Sequence, residues 1–201
     1  MADAINTSSK MMEWHALKEW AIVVRAVEQG KHFILFRKGG ILDDGFSVAS
    51  NQFLLFPTFE HQSKQYIKDE YRLDYDALDV HAPVEKVVIR SAARVASYYE
   101  SSEKTRLLRL DRYHIYNDAF IDYRMQWNRD KPVSVMLVRA YRLEEPIVLG
   151  MGAEYYGCRS WIRLKDTGLN IKIGKPVVDD YTFEHIKSRV DKIMSMEGGV
   201  S

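Results

Sequence analysis

The sequence predicts an α+β protein built on a mostly antiparallel, barrel-like sheet with flanking helices. Three observations lead there. Short apolar runs rich in β-formers (HFILF, FLLF, VVIRSAARV, VSVMLVRAYRL) recur along the chain. Helical patterns fall between them in an order that is not regular βαβ alternation: helix, strand, strand, helix, strand, helix, strand, strand, helix. The chain has 201 residues, 46% of them hydrophobic and 12% aromatic, enough to build a sizeable core.

Taken in order, residues 1–11 are polar and read as a flexible tail, and residues 12–197 as one domain. Trp14, Leu17, Trp20, Ala21, Val24 and Val27 recur at helical spacing, with Gly30 placed to end the helix. HFILF (32–36) is a strand, and its unbroken apolar character implies burial on both faces. A loop from Lys38 to Asn51 carries Gly39, Gly40 and Gly45, and FLLF (53–56) is the next strand. Glu60 to Leu78 is polar and partly helical. Residues 87–95 form a strand. Residues 101–129 are mostly helical, most firmly over Asn117–Trp127, and Pro132 stops that run. VSVMLVRAYRL (133–143) is the strongest strand, ending with Arg139 and Arg142, and SWIRL (160–164) is a shorter one. Asp179 or Asp180 caps a last helix whose inner face is Phe183, Ile186, Val190 and Ile193.

A net charge of +1 gives no global argument for nucleic acid or membrane. The lone cysteine, Cys158, cannot form an internal disulfide and fits a reducing cytoplasm. The N-terminus lacks a signal-peptide core, and no apolar run approaches the roughly 20 residues that span a bilayer. The expectation is a cytoplasmic protein with no membrane partner.

Several chemistries fail on spacing. The nearest string to a phosphate-binding P-loop, Gly168 to Gly174-Lys175-Pro176, has the wrong interval and a proline where the hydroxyl belongs. GMGAEYYG (150–157) places Tyr155 where a dinucleotide fingerprint needs its third glycine. One cysteine and six scattered histidines do not make a structural zinc site. No G-x-S-x-G elbow is present, and no lysine has Asp or Glu two residues before it, as one class of metal-dependent nucleases needs. No cofactor or metal is called for.

What remains are strand ends. Arg37, Lys38, Gly39 and Gly40 put two cations and exposed backbone amides at the end of one strand, which suits an anion such as phosphate. A tight turn with solvated basic side chains is the ordinary alternative. Pro57, Thr58, Glu60, His61 and Gln62 follow the next strand. His61 and Glu60 could do acid–base chemistry, and Thr58 and Gln62 could read a base or amide edge. A helix start with Thr58 as its cap is the alternative there. Residues 86–165 hold fifteen Lys/Arg against nine Asp/Glu, interleaved with aromatics such as Tyr98, Tyr99, Tyr123, Trp127 and Trp161. That mixture offers charge for phosphate and flat faces for stacking, although most of the aromatics suit a core. Cys158 beside Arg159 could be an activated thiolate, but with no nearby histidine it reads better as a small residue entering a strand.

The strings LKEWAIVVRAVEQGKHFILFRKGGI, FLLFPTFEHQ, PVSVMLVRAYRLEEPIVL and GCRSWIRL together resemble the bacterial family catalogued as domain of unknown function 1802, over residues 14–165. The layout is also similar, more distantly, to the ASCH branch of the PUA-like superfamily. The matching features are Gly30-Lys31 before a strand ending in Arg37, LLFPT, VVIRSAARV, NDAFIDYR and YRLEEPIVL. That likeness implies a pseudo-barrel with a cleft beside it, often used for RNA or modified bases, and in some members amidohydrolase or ribonuclease activity. Position by position it maps Lys31, Arg37 and Thr58 onto the polar cleft, with Glu100 and Glu103 as loose counterparts of an expected acidic residue.

The resulting expectation is a domain that binds RNA or a nucleotide-like ligand through Arg37, Lys38, Gly39, Gly40, Thr58, His61 and Gln62. One alternative is a small hydrolase using Lys31 or Lys38 with Thr58, Glu60 and His61. Another is a protein-interaction module.

Overall fold

The computed structural model of the chain describes residues 14–38, 52–78, 85–157, 159–164 and 171–196. The predicted tail, the loop carrying Gly39, Gly40 and Gly45, and Cys158 lie outside them. Among the described residues seven strands form one sheet: β1 (Trp14–Trp20), β2 (Ile34–Arg37), β3 (Gln52–Thr58), β4 (Lys86–Ser101), β5 (Val133–Gly150), β6 (Trp161–Leu164) and β7 (Ile173–Pro176). Among the same residues five α-helices accompany them: α1 (Ala21–Glu28), α2 (Arg72–Asp76), α3 (Lys104–Leu108), α4 (Asp118–Gln126) and α5 (Asp180–Ser195). The strand order is β2-β5-β4-β3-β1-β6, with β7 beside β5. β1 and β3 run parallel, and every other pairing is antiparallel. The α+β class and the mostly antiparallel sheet are as expected. Among the described residues no helix is long and apolar enough to cross a membrane.

Residues 14–20 correct the sequence reading. The helical spacing that starts at Trp14 becomes a helix only from Ala21, and Trp14–Trp20 is a strand. Tertiary pairing overrides the pattern. The segment lies between β3, in register from Ala16 opposite Leu54 to Trp20 opposite Thr58, and β6, with Trp14 opposite Leu164. A helix would have turned Lys18 and Glu19 to solvent. In the strand both are buried.

Local chemistry fixes the turns around this strand. The Glu19 carboxylate accepts from the Trp20 N–H at 2.8 Å, and the Gln62 side-chain oxygen accepts from the Ile22 N–H at 3.1 Å, so two free donors of α1's first turn are satisfied. At the other end Gly30 takes φ 71°, its N–H donating to Val27 O while Lys31 N–H donates to Ala26 O. This is the helix stop expected of Gly30. Asn117 and Asp179 accept from the third N–H of α4 and α5 respectively.

The β4–β5 hairpin is longer than its apolar runs suggested, and register shifts between Ile89 and Ser91 and between Val95 and Ser97 bend it. The sheet curls around a core containing Leu17, Trp20, Phe36, Phe53, Leu55 and Phe120. Leu54 and Phe56 face a second cluster with Ala16, Ile89 and Ile162, which is why FLLF is apolar at every position. β2 and β3 are not a hairpin, because β5 and β4 lie between them. The curl nevertheless returns the end of β2 to the end of β1. Arg37 donates there to Lys18 O at 2.9 Å and to the Glu19 carboxylate at 2.8 Å.

Candidate functional site

The C-terminal ends of β1, β2 and β3 meet at one cleft of about 420 Å³, walled on its far side by α4. That volume suits a small ligand or one residue of a polymer. Arg37, Lys38, Thr58, Glu60 and His61, read from sequence as polar strand ends, all line it. Lys18, Glu19, Trp20, Tyr66, Tyr123, Arg124, Trp127 and Arg159 join them.

Two ion pairs run through its floor. Lys18 donates to Glu60 Oε2 and to Gly157 O, both at 2.8 Å, and is only 6% exposed. Burial pushes the Glu60 carboxyl up, but the Lys18 ammonium and the Gly157 N–H at 3.3 Å more than offset it and hold the carboxyl below its ordinary value. Glu19 sits between the Arg37 guanidinium, the Trp20 N–H and the Tyr116 hydroxyl, which donates at 3.5 Å. Burial, and then the Glu19 charge, raise the Tyr116 phenol well above its usual value.

Arg124 stands apart from this pairing. It projects from α4 with its guanidinium over Phe120, 5.0 Å from the ring centroid, and 5.9 Å from the centroids of both Tyr123 and Trp127. It meets no carboxylate among the described residues. Burial, and then the nearby Arg37, lower its pKa. The Nε atoms of Arg37 and Arg124 are buried without an acceptor among the described residues. Lys38 donates to Met125 O, a carbonyl in the last turn of α4, at 2.8 Å. Burial, then Arg129, lower its ammonium.

Aromatic faces border the cations. Tyr66 stacks on Tyr123 with centroids 5.1 Å apart and on Trp20 at 6.4 Å. Trp127 is 54% exposed and Tyr123 43%. His61 holds φ 58°, a left-handed conformation that favours glycine, so a side chain is kept at the cleft at a local cost.

Other predicted residues lie elsewhere. Gln62 is not on the cleft wall, because its oxygen is committed to α1. Lys31 lies 3.9 Å from Asp74 and 5.7 Å from the Tyr71 ring centroid, away from the cleft. Glu100 accepts from Tyr98 and Glu103 pairs with Arg106, so neither is the cleft's acidic group; Glu19 and Glu60 are. Arg139 pairs with Asp180, and Arg142 donates to Glu28 O. Among the described residues no cluster of three or more His, Cys, Asp or Glu could hold a metal. The missed residues Lys18 and Glu19 carried one usable signal: two opposite charges inside an apolar run that leads into a helix.

The family described as domain of unknown function (DUF1802) matches residues 16–189. No curated protein matches. Among solved structures, the chain is similar to ASCH from Zymomonas mobilis, at 13% identity and TM-score 0.49, covering 90% of this chain and 96% of that one. It is also similar to two single-residue mutants of that protein, at TM-score 0.49 each. One is 15% identical over 77% of this chain and 91% of the mutant. The other is 14% identical over 75% and 87%. Likeness of this degree says nothing about ligand or chemistry.

Proposed function

The chain belongs to the DUF1802 family, and we propose that it binds RNA or a nucleotide-like ligand in this cleft. The observation that carries the reading is the union of guanidinium donors lacking acceptors among the described residues with stacked and exposed aromatic faces. Guanidinium N–H groups without acceptors seek an anion, and flat rings beside them seek a planar group. A nucleotide supplies both. In this reading Arg37, Lys38 and Arg124 hold phosphate, and Tyr123 and Trp127 take a base. Thr58 and His61 lie where they would contact its edge. Gln62 acts indirectly, by fixing the start of α1. The test is purification at low salt, followed by the 260/280 absorbance ratio and mass spectrometry of whatever comes with the protein. RNA or nucleotide that leaves in high salt and is lost in Arg37→Ala/Lys38→Ala supports the reading. A clean protein that takes up no added nucleotide contradicts it.

The Lys18–Glu60 pair favours a second reading. An ionised carboxylate 2.8 Å from an ammonium, with the Thr58 oxygen accepting from the Glu60 N–H at 3.1 Å, could activate water and protonate a leaving group. Hydrolysis of an acylated base or an RNA strand that disappears in Glu60→Gln would support a hydrolase.

A further inference from the structure

We propose that the anion recognised in the cleft is a phosphomonoester, carried by a free nucleotide or by the end of a strand, rather than an internal phosphodiester. This deepens the nucleotide reading above and rests on it. The argument begins with a count of charge. Five cations, Lys18, Arg37, Lys38, Arg124 and Arg159, face two carboxylates, Glu19 and Glu60. Both carboxylates are already engaged, Glu19 by Arg37 and Glu60 by Lys18. Three positive charges are left over among the described residues: Arg159, which is exposed to solvent, and two surplus cations that are not, Lys38 and Arg124. At the mouth Arg129 and Asp130 act on Lys38 with opposite sign, so they do not remove the excess.

Neither surplus cation is well solvated. Lys38 is 8% exposed and donates to a backbone carbonyl, that of Met125. Arg124 has its Nε buried and its guanidinium over the Phe120 ring. Buried charge without a counter-charge is costly, so the cleft is poised for an anion that neutralises both. An internal phosphodiester brings one negative charge, and two of its four oxygens are tied up in ester bonds. A phosphomonoester brings close to two near neutral pH and three terminal oxygens, which match the directional donors of two guanidiniums and an ammonium.

The chemistry is tested by titrating the full chain with one RNA pentamer in three forms: 5′-phosphate, 3′-phosphate, and hydroxyl at both ends. A nucleoside and its 5′-monophosphate form a second pair, and inorganic phosphate serves as competitor. One or two added charge-assisted hydrogen bonds correspond to about tenfold to hundredfold tighter binding of the phosphorylated form. That advantage should shrink to a few-fold in Arg124→Gln and largely survive in Arg124→Lys, and inorganic phosphate should compete. An advantage seen only with the mononucleotide assigns a free nucleotide; one seen with a pentamer assigns a strand end. Equal affinity for phosphorylated and hydroxyl-ended forms overturns the phosphomonoester while leaving nucleic-acid binding intact. Binding of inorganic phosphate alone, with every nucleotide and RNA rejected, overturns the nucleotide reading and keeps the anion subsite. No binding of any of them removes both.

Discussion

Replacing Glu19 with glutamine should weaken the fold and tighten anion binding at once. Glu19 is 4% exposed, and its Oε2 lies 2.8 Å from the Arg37 guanidinium. Charge centres about 4 Å apart at an effective dielectric near 20 attract by about 4 kcal/mol. The amide keeps an acceptor for the Trp20 N–H and a neutral hydrogen bond to Arg37, together about 1–1.5 kcal/mol of that. The net loss is about 2–3 kcal/mol, below the roughly 3–5 kcal/mol typical when one partner of a buried pair is removed outright. For a chain of this length each kcal/mol moves Tm by roughly 2–4 °C, so Glu19→Gln should melt about 5–10 °C lower. The same change leaves one more cation in the cleft, Arg37, without a counter-charge, so affinity for a phosphorylated nucleotide should rise. Differential scanning fluorimetry and a parallel titration read both effects. An unchanged Tm would mean that the pair is not a buried clamp. A lower Tm with weaker binding would mean that Glu19 aims Arg37 rather than neutralising it, and the charge count would fail.

The remaining predictions concern other parts of the molecule. His32 and His114 are buried, with rings 6.5 Å apart. Burial lowers both to about 3, helped by His114 at His32 and by Lys68 at His114. Their stabilisation is therefore complete above pH 6.5, the unfolded value, and is lost as pH falls from there toward 3. The slope is about 1.4 kcal/mol per pH unit for each ring, and urea unfolding at pH 7 and pH 5 would reveal it; equal stabilities would contradict it. His61→Gly should raise stability by about 0.5–1 kcal/mol by relieving the left-handed backbone, less the added chain entropy, while reducing ligand affinity. A destabilised glycine variant with full affinity would reverse that assignment. Trp127→Ala should leave Tm nearly unchanged and cost about 1–3 kcal/mol of RNA affinity, read by fluorescence anisotropy; undiminished affinity would remove Trp127 from the base platform.

Part of this site is legible in the chain because strand ends advertise themselves. Arg37 and Lys38, and Thr58 with Glu60 and His61, break apolar runs abruptly, and the structure gathers all five at one cleft. Their convergence is not legible. β2 and β3 are separated by two strands, and only the curl of the sheet brings their ends together. Lys18 and Glu19 stay hidden for a different reason. Helical spacing runs without a break from Trp14 to Val27, and only pairing to β3 and β6 makes the first half a strand. A buried ion pair looks in sequence like a solvated helix face until its partners are known. Those partners lie far along the chain: Lys18 meets Glu60 and Gly157, and Glu19 meets Arg37 and Tyr116. The aromatics between residues 98 and 161 divide in the same way. Tyr116 and Phe120 belong to the core, whereas Tyr123 and Trp127, a few residues on along α4 and at its C-cap, face the cleft.

The most direct measurement is the affinity of the full chain for a short single-stranded RNA at 50 and 200 mM salt. For an RNA carrying a terminal phosphate, whose charge is close to two, one such group held by the cleft corresponds to a slope of about −1.4 in log K against log salt, a loss of roughly sevenfold across that range. Removing one phosphate contact with Lys38→Gln should flatten the slope by about 0.7. Affinity that ignores salt, or no binding at 50 mM, would contradict a cleft that works by holding phosphate.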